Sequence, residues 1–462
     1  TLGLLFLTDL KAYDIVLGKL MSSSLTSVYA LMGTLPMLAM PLLMGGVQVT
    51  QFWKTALTLG NTLFFSLSAG LLVSSLSRNA SRAGNAASVL ILFFGMALPG
   101  LAEWLRTNRA PEAAVIVSLF SPAYSQSLAL TPTTLPSTFW PSLLAIHGLS
   151  WAFLALASGI LPRAWQDKPE KQPRSKQKKG IAHSALSKKK SGKAHSEAAY
   201  RTRLLKKNPF YWLAARKRFR AMGTWLLLLA ILLVSLGIAW VFRTKIEPTP
   251  TILLIAFALH LALKVQFAHA STERLAEDRE NGTLEFLLST PLRTQEIFTG
   301  QWLALRQHFL VPLFFVVSLC LFGLFFLLKI KFQVDIEASH LDLLFWATSL
   351  MLIADLTALG WVGMWTGLTI PQARQAAGNT GFKILLVPWL LIAAFMTAAG
   401  ISGFFGSITF KGFLTIWFTV GMVTNLFFGL WSRRNLHRHF RTRAVERFQS
   451  EPKRSWWGRA NT

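Results

Sequence analysis

Long runs of apolar residues without charge constrain this chain more than any other feature. A helix that crosses a bilayer needs about 20 mostly apolar residues, because its backbone must satisfy its own hydrogen bonds inside lipid. A mean hydropathy of +0.44, with 52% hydrophobic residues over 462 positions, is too high for an ordinary soluble protein. The fold class predicted is an all-α, polytopic helical membrane protein. The predicted spans lie near residues 21–44, 52–76, 87–101, 141–161, 224–242, 250–268, 305–328, 343–369, 383–400 and 412–431.

A segment at residues 1–20 recurs at residues 283–302, which indicates an internal duplication. Asp14 corresponds to Glu296 as a like-charged partner. Further on, Ala83–Asn85 matches Ala377–Asn379, and the offset grows from 282 to 294 because the second copy has a longer polar loop. The identical pairs of the gapless match are Thr1/Thr283, Leu2/Leu284, Leu5/Leu287, Thr8/Thr290, Leu10/Leu292, Ile15/Ile297 and Gly18/Gly300.

The duplication predicts how the chain is organised. Four spans of the first copy and two of the second separate the motifs, so both motifs emerge on one side and the repeats are parallel. The second copy has six spans and an upstream stretch that the first copy lacks, so we expect the first copy to be incomplete and the parent to have two six-helix repeats. The predicted domains are a first half at 1–162, a flexible linker at 163–207, a second half at 208–431 and a basic tail at 432–462.

The net charge of +27 is concentrated in two segments that border spans. The stretch 163–220 has 19 Lys and Arg against three acids, and 432–462 has nine against two, so together they supply 16 + 7 = 23 of the charges. Positive flanks are typical of cytoplasmic loops. We therefore expect both ends of the chain in the cytoplasm, anionic membrane lipids as the counter-surface, and no nucleic-acid partner.

The repeated motif predicts a short helix that is more apolar than a solvated loop. Asn281–Gly282 is a good helix entry, Pro291 biases Thr290 away from helix, and Thr294 is predicted to cap the next helix with Glu296 near its positive end. On the residues alone, two interpretations are open. The apolar side chains either dock in a groove of a soluble partner or pack against the protein's own spans and the lipid interface.

The string RENGTLEFLLSTPLRTQEIFTGQ at 279–301, preceded by further acidic residues, resembles the cytoplasmic coupling segment of the type-2 permease family of ABC transporters. The resemblance implies that the segment docks on a dimer of ATP-hydrolysing subunits. In the first copy, Gly3 and Asp9 depart from the pattern, and in the second copy Gln301 does, which leaves symmetric coupling open. The implied contact residues are Thr283, Leu284, Glu285, Leu287, Leu288, Thr290, Pro291, Leu292, Glu296 and Gly300, with Thr1, Leu2, Leu5, Thr8, Leu10, Asp14 and Gly18 from the first copy.

The chain has no P-loop of its own, since Gly18–Lys19 is followed by Leu20 and lacks the preceding glycine. No catalytic constellation and no metal-ligand spacing is found. The chain is thus expected not to be an enzyme and to bind no cofactor, while ATP and Mg²⁺ would be bound by the partner ATPase.

A few polar residues inside the spans remain. Asp355 is the only carboxylate in its apolar run, so it is either a pathway residue or a hydrogen-bonded structural acid. Lys264 is expected to snorkel to the membrane surface. His147 and His260 are interpreted as structural. Residues 101–140, which are rich in proline, predict a partly re-entrant lid on the outer face.

These expectations converge on the permease subunit of an ABC exporter in a prokaryotic inner membrane, with an unknown substrate. The alternatives are an ion- or proton-coupled transporter or channel that uses Asp355, and a membrane scaffold whose linker and tail gather partners.

Overall fold

A computed structural model describes residues 10–77, 80–108, 110–131, 138–164, 202, 208–215, 220–241, 248–280, 282–331, 339–401 and 409–445. Every regular element in these ranges is a helix. Ten of the helices are long and apolar enough to cross a membrane by length and composition. This confirms an all-α, multi-pass membrane protein.

The helices divide into two compact units. The first unit contains α1 (Ala12–Leu43), α2 (Val49–Leu76), α3 (Ala80–Leu92), α4 (Leu98–Thr107), α5 (Pro111–Leu119), α6 (Pro122–Leu130) and α7 (Phe139–Ala164), together with α9 (Arg220–Val241). The second unit contains α8 (Pro209–Ala215), most of α10 (Pro248–Glu280), α11 (Thr283–Leu288), α12 (Thr294–Lys331), α13 (Ser339–Thr369), α14 (Ala373–Gly381), α15 (Val387–Ile401) and α16 (Phe410–Val445).

Residues 222–255, which lie in the second sequence copy, belong to the first unit. There, α9 lies close to α3: a Cβ placed on Gly223 would be 2.5 Å from the Asn85 amide nitrogen. The predicted linker at 163–207 falls almost entirely outside the described residues.

Each unit has a span that is interrupted by a π-helical turn. In the first unit, Phe93–Ala97 joins α3 to α4, and in the second unit Phe382–Leu386 joins α14 to α15. A π turn accommodates one residue more than an α-helical turn. The span predicted at 87–101 is present as a helix over Ala83–Thr107 that contains this turn.

The same helix pair dominates the packing of each unit. α2 packs along α7 in the first unit, and α13 packs along α16 in the second. In chain order these are the second and the last span after the repeated motif. The equivalent pairing agrees with the duplication that the sequence indicates.

The predicted lid region consists of two short helices. α5 and α6 meet at 97°, which is the geometry of a broken span or a re-entrant loop. Ser142 on α7 donates its hydroxyl to the Leu119 carbonyl oxygen at 3.1 Å, which fixes the end of α5 against α7.

Several helices extend well past their predicted ends. α10 continues to Glu280 rather than ending near residue 268, and α16 continues to Val445 rather than ending near 431. The first 14 residues of the predicted basic tail are therefore helical, while residues 446–462 lie outside the described part. Hydropathy identifies only the part of a helix that contacts lipid, which explains the difference.

Candidate functional site

The repeated motif of the second unit folds into α11, a helix of six residues. Its entry residue, Gly282, has φ = 69°, a left-handed conformation that glycine adopts without steric cost. Thr283 donates its hydroxyl to the Asp278 carbonyl oxygen at 2.7 Å, which ties the helix to the end of α10. The helix is shorter than the two turns that the sequence predicts.

The side chains of α11 divide between the interior and the surface. Leu284 is 1% exposed, and Leu287 and Leu288 are half-buried. Phe286, in contrast, is 74% exposed. The three leucines thus pack against the protein's own spans, which is the second of the two interpretations given above. The Phe286 side chain does not pack in this way and is exposed.

Leu284 belongs to an apolar cluster that we call the motif-side core. α11 packs against α16 there, and α8, the ends of α10 and α13 and the start of α12 complete the cluster. α11 therefore shares one apolar core with the ends of four spans. The buried members of this core are Phe210, Leu275, Leu284, Ile297, Phe298, Met364, Leu368, Leu436, Phe440 and Ala444.

The core stands beyond the apolar part of its helices. Its residue Phe298 comes seven residues before the apolar run of α12 begins near 305, and its residue Phe440 comes nine residues after Trp431 on α16. At a rise of 1.5 Å per residue, these separations are about 10 Å and about 14 Å along the helices. We call this side of the molecule the motif side.

Asn208 fastens α8 to the start of α12. Its side-chain oxygen accepts a hydrogen bond from the Tyr211 backbone N–H at 3.0 Å and so caps α8. Its amide nitrogen donates to the Glu296 carbonyl oxygen at 2.8 Å and to the Thr299 hydroxyl at 3.2 Å. The sequence pattern Asn-Pro, a capping residue before a proline at the first helical position, signals the cap but not the bond to α12.

Gly300 makes this contact possible. A Cβ at this position would lie 2.8 Å from the Asn208 side-chain oxygen and 2.8 Å from the Tyr211 backbone nitrogen. The absence of a side chain at the motif glycine therefore permits the close packing of α8.

Glu296 has a capping role as well. Its carboxylate accepts a hydrogen bond from the Arg293 backbone N–H at 3.1 Å. α12 begins at Thr294, so Arg293 occupies the capping position that the sequence analysis gave to Thr294. In the first copy, the Asp14 carboxylate accepts from the Lys11 backbone N–H at 3.0 Å, at positions offset by the same 282 residues.

The remaining predicted contact residues are placed as follows. Thr290 and Pro291 are exposed, and Glu285 and Leu292 are half-buried. In the first copy, Leu10 and Gly18 are exposed. The predicted contacts Thr1, Leu2, Leu5 and Thr8 lie outside the described residues.

Arg279 joins α10 to α13 next to the motif. Its guanidinium donates hydrogen bonds to the Leu368 and Ile370 carbonyl oxygens, the latter at 2.7 Å. Arg274 and Asp278 pair at 3.0 Å one turn earlier. The charges before α11 therefore fix the ends of the spans around it.

Asp355 lies in a polar cluster inside the spans. Its carboxylate is 2.5 Å from the Lys264 ammonium on α10 and accepts a hydrogen bond from the Asn425 amide on α16, also at 2.5 Å. The Asp355 and Lys264 side chains are only 8% and 16% exposed. The expectation that Lys264 snorkels to the surface was wrong, because its charge is neutralised inside the bundle.

Small residues on α13 allow α10 to approach closely enough for this pair. A Cβ on Gly367 would lie 2.5 Å from the Thr272 carbonyl oxygen, and Ser271 donates its hydroxyl to the Leu359 carbonyl oxygen at 3.2 Å. Gly363 and Gly367 form the small-xxx-small pattern that permits close helix contacts in membranes. The ion pair and the glycines together fix α10, α13 and, through Asn425, α16 in one register.

In comparisons with known proteins, no protein-family model, curated protein or solved structure matches the chain.

Proposed function

We propose that this chain is the membrane-spanning permease subunit of an ABC exporter, and that α11 couples it to a separate ATPase on the cytoplasmic side of a prokaryotic inner membrane. The proposal rests on α11: a short helix anchored by Leu284 in the motif-side core while Phe286 is 74% exposed. It adds structural support to the resemblance of the sequence around α11 to coupling segments.

The position of α11 favours a soluble partner over lipid as the occupant around Phe286. The motif-side core stands on helical extensions, about 10 to 14 Å past the apolar segments. Burying a phenylalanine side chain contributes roughly 1.5–3 kcal/mol, so a partner groove that encloses Phe286 gains appreciable affinity from one residue.

The anchoring of α11 supplies a route for motion. A partner that moves α11 acts on α10, α12, α13 and α16 together, because their ends share the motif-side core. Closure of an ATPase dimer under α11 would thus reorient spans rather than bend a loop. The chain supplies the pathway, and the partner supplies ATP hydrolysis and the Mg²⁺ that it requires.

The rival function, an ion-coupled transporter with Asp355 as its ion site, is less favoured. Lys264 and Asn425 already occupy both carboxylate oxygens of Asp355. A coupling ion would have to displace an ammonium group at 2.5 Å. Transport driven by an ion gradient in vesicles without ATP would nevertheless establish that rival.

The test is to isolate the tagged full-length chain from native membranes in mild detergent and to assay nucleotide hydrolysis and companion proteins. We expect a stoichiometric ATPase with the unmodified chain. Phe286→Asp should lose this companion, while Gln295→Asp, which places the same charge at an exposed position in the first turn of α12, should retain it.

Two results would overturn the proposal. One is the isolation of the intact chain without any nucleotide-hydrolysing companion. The other is full retention of the companion by Phe286→Asp, which would show that α11 is not the contact.

A further inference from the structure

One face of α16 changes along the helix from apolar to aromatic to basic, which is the order of side chains expected from the hydrocarbon layer of a membrane to its headgroups. Phe427, Trp431, Arg434 and Arg438 are all exposed and follow one another at spacings of three or four residues, so they share a face. Phe427 is 62% exposed and Trp431 43% exposed. The face thus runs from phenylalanine through tryptophan to arginine.

This face points away from the protein interior. The buried stripe of the same stretch is formed by Ser432, Leu436 and Phe440, which recur at every fourth residue. At 100° per residue, the two stripes lie on nearly opposite sides of the helix. The phenylalanine in the apolar segment therefore faces lipid hydrocarbon, and the arginines that follow it face the headgroup layer.

Depth along the helix supports the same assignment. Lys411 marks the opposite end of the apolar segment, and Trp431 comes 20 residues later. Twenty residues span about 30 Å, the thickness of the hydrocarbon layer. Trp431 then lies at the interface, where tryptophan is enriched, and Arg434 lies about 4.5 Å further out, at the level of lipid phosphates.

A third cation reaches this place from another helix. Lys383, in the π-helical turn between α14 and α15, places its ammonium 5.5 Å from the centre of the Trp431 ring. The edge-on contact between Trp365 and Trp431, 6.2 Å between ring centres at 86°, braces that ring. Within the described part of the chain, Lys383, Arg434 and Arg438 form no ion pair with a carboxylate.

We propose that Lys383, Arg434 and Arg438 bind the phosphate of an anionic lipid headgroup, with Trp431 as the floor of the site. Lys383 beside the interfacial Trp431 and two arginines further out on the same face of α16 need a counter-charge that lies in the headgroup layer, and an anionic phospholipid supplies it there. The site is independent of the proposed ATPase contact, which involves α11.

The test uses the purified full-length chain in neutral detergent. Its thermal unfolding is followed while phosphatidylglycerol, phosphatidylcholine or inorganic phosphate is added. A ligand that binds only the folded state raises the unfolding temperature with concentration. We expect phosphatidylglycerol to stabilise the chain and the other two to have little effect.

Variants locate the site. Each cation near an anionic surface contributes about fivefold to affinity, so Lys383→Gln and Arg434→Gln should each shift the half-maximal phosphatidylglycerol concentration by about that factor. The double variant should shift it by about 25-fold. Lys411→Gln, which removes an exposed cation from the other end of α16, is the matched control and should cause no shift.

Native mass spectrometry of retained lipid provides a second measurement in case a variant alters basal stability. Equal stabilisation by phosphatidylcholine would overturn the proposal, as would an equal shift in Lys411→Gln. Stabilisation by inorganic phosphate to the same extent would show a soluble anion site instead of a lipid site.

Discussion

Two helix pairs, α2 with α7 and α13 with α16, meet in the same register but are held by different chemistry. His147 Nδ1 donates a hydrogen bond to the Asn61 side-chain oxygen at 3.1 Å, and Asp355 accepts one from Asn425 at 2.5 Å. Asp355 lies 355 − 61 = 294 residues after Asn61, the offset at which Ala377–Asn379 matches Ala83–Asn85. Each copy thus places a polar pair at the same point of the same helix crossing.

The next turn shows the same correspondence. Phe64 and Trp151 contact each other with ring centres 5.6 Å apart, whereas Ala358 and Gly429 occupy the positions that carry the same offsets, 294 and 278. A Cβ on Gly429 would lie 3.8 Å from the Ala358 Cβ. One crossing is filled by aromatic rings and the other by small residues.

The difference indicates what changed between the copies. The Asn61 amide and the His147 ring bond to each other without a charged partner, whereas the buried Asp355 carboxylate is paired with a cation. Lys264 on α10 is that cation. The glycines of α13 let α10 pack closely enough for the ammonium group to reach Asp355. The helix geometry is shared, and the electrostatics are specific to the second unit.

The largest expected effect comes from removing the buried charge of Asp355, where α13 crosses α16. Asp355→Leu leaves Lys264 buried without its partner and should lower the free energy of unfolding by about 3–5 kcal/mol. Asn61→Leu removes only a neutral partner of His147 and should cost about 1–2 kcal/mol. Chemical unfolding of both variants in detergent measures the difference.

Removing both charges provides the control. Lys264→Met combined with Asp355→Leu should recover most of the loss, because no unpaired charge remains. Equal costs for Asp355→Leu and Asn61→Leu would contradict the electrostatic distinction between the two crossings.

Alanine substitutions at the two motif glycines, Gly300 and Gly18, should change the stability of the protein in opposite directions. Gly300→Ala pushes a methyl group against Asn208 and the α8 backbone, and should cost about 1–3 kcal/mol. Gly18 has no atom within 4 Å of a built Cβ. Gly18→Ala should therefore stabilise α1 by about 0.5–1 kcal/mol through helix propensity. Thermal unfolding of the two variants side by side checks the signs, and a loss of stability in both would contradict the structure.

The smallest expected effect comes from removing the helix cap that both copies share. Asp14→Ala and Glu296→Ala each remove a carboxylate that accepts a backbone N–H at the start of a helix. Each should cost about 0.5–1 kcal/mol, and the two costs should agree. A cost in only one copy, measured by the same unfolding assay, would show that the two caps are not equivalent.

Much of the fold could be predicted because it depends on local patterns. Apolar runs identify all ten long helices, and the match of residues 1–20 with 283–302 identifies equivalent helix starts. The resemblance to coupling segments selected α11, but it could not show which way each side chain points. Leu284 and Phe286 are both apolar and two residues apart, so only packing distinguishes the anchor from the exposed ring.

The partners of Lys264 could not be predicted, because 91 residues separate it from Asp355 and no local pattern links the two. Its position near the predicted end of a span favoured snorkelling, and that inference failed because α10 continues to Glu280. The π-helical turns Phe93–Ala97 and Phe382–Leu386 were not predicted either, although a proline that disturbs the preceding helical turn, Pro99 or Pro388, follows each of them by two residues.

Those two turns have a consequence for sequence change. Because a π turn holds a single surplus residue, deleting one residue there would restore regular winding and leave the segments on either side facing their present neighbours. Deleting one residue from an α-helical stretch would instead rotate the following segment by about 100° relative to the preceding one. Each interrupted span could thus change its length by one residue at its π turn while keeping its contacts, a form of divergence that substitutions alone do not provide.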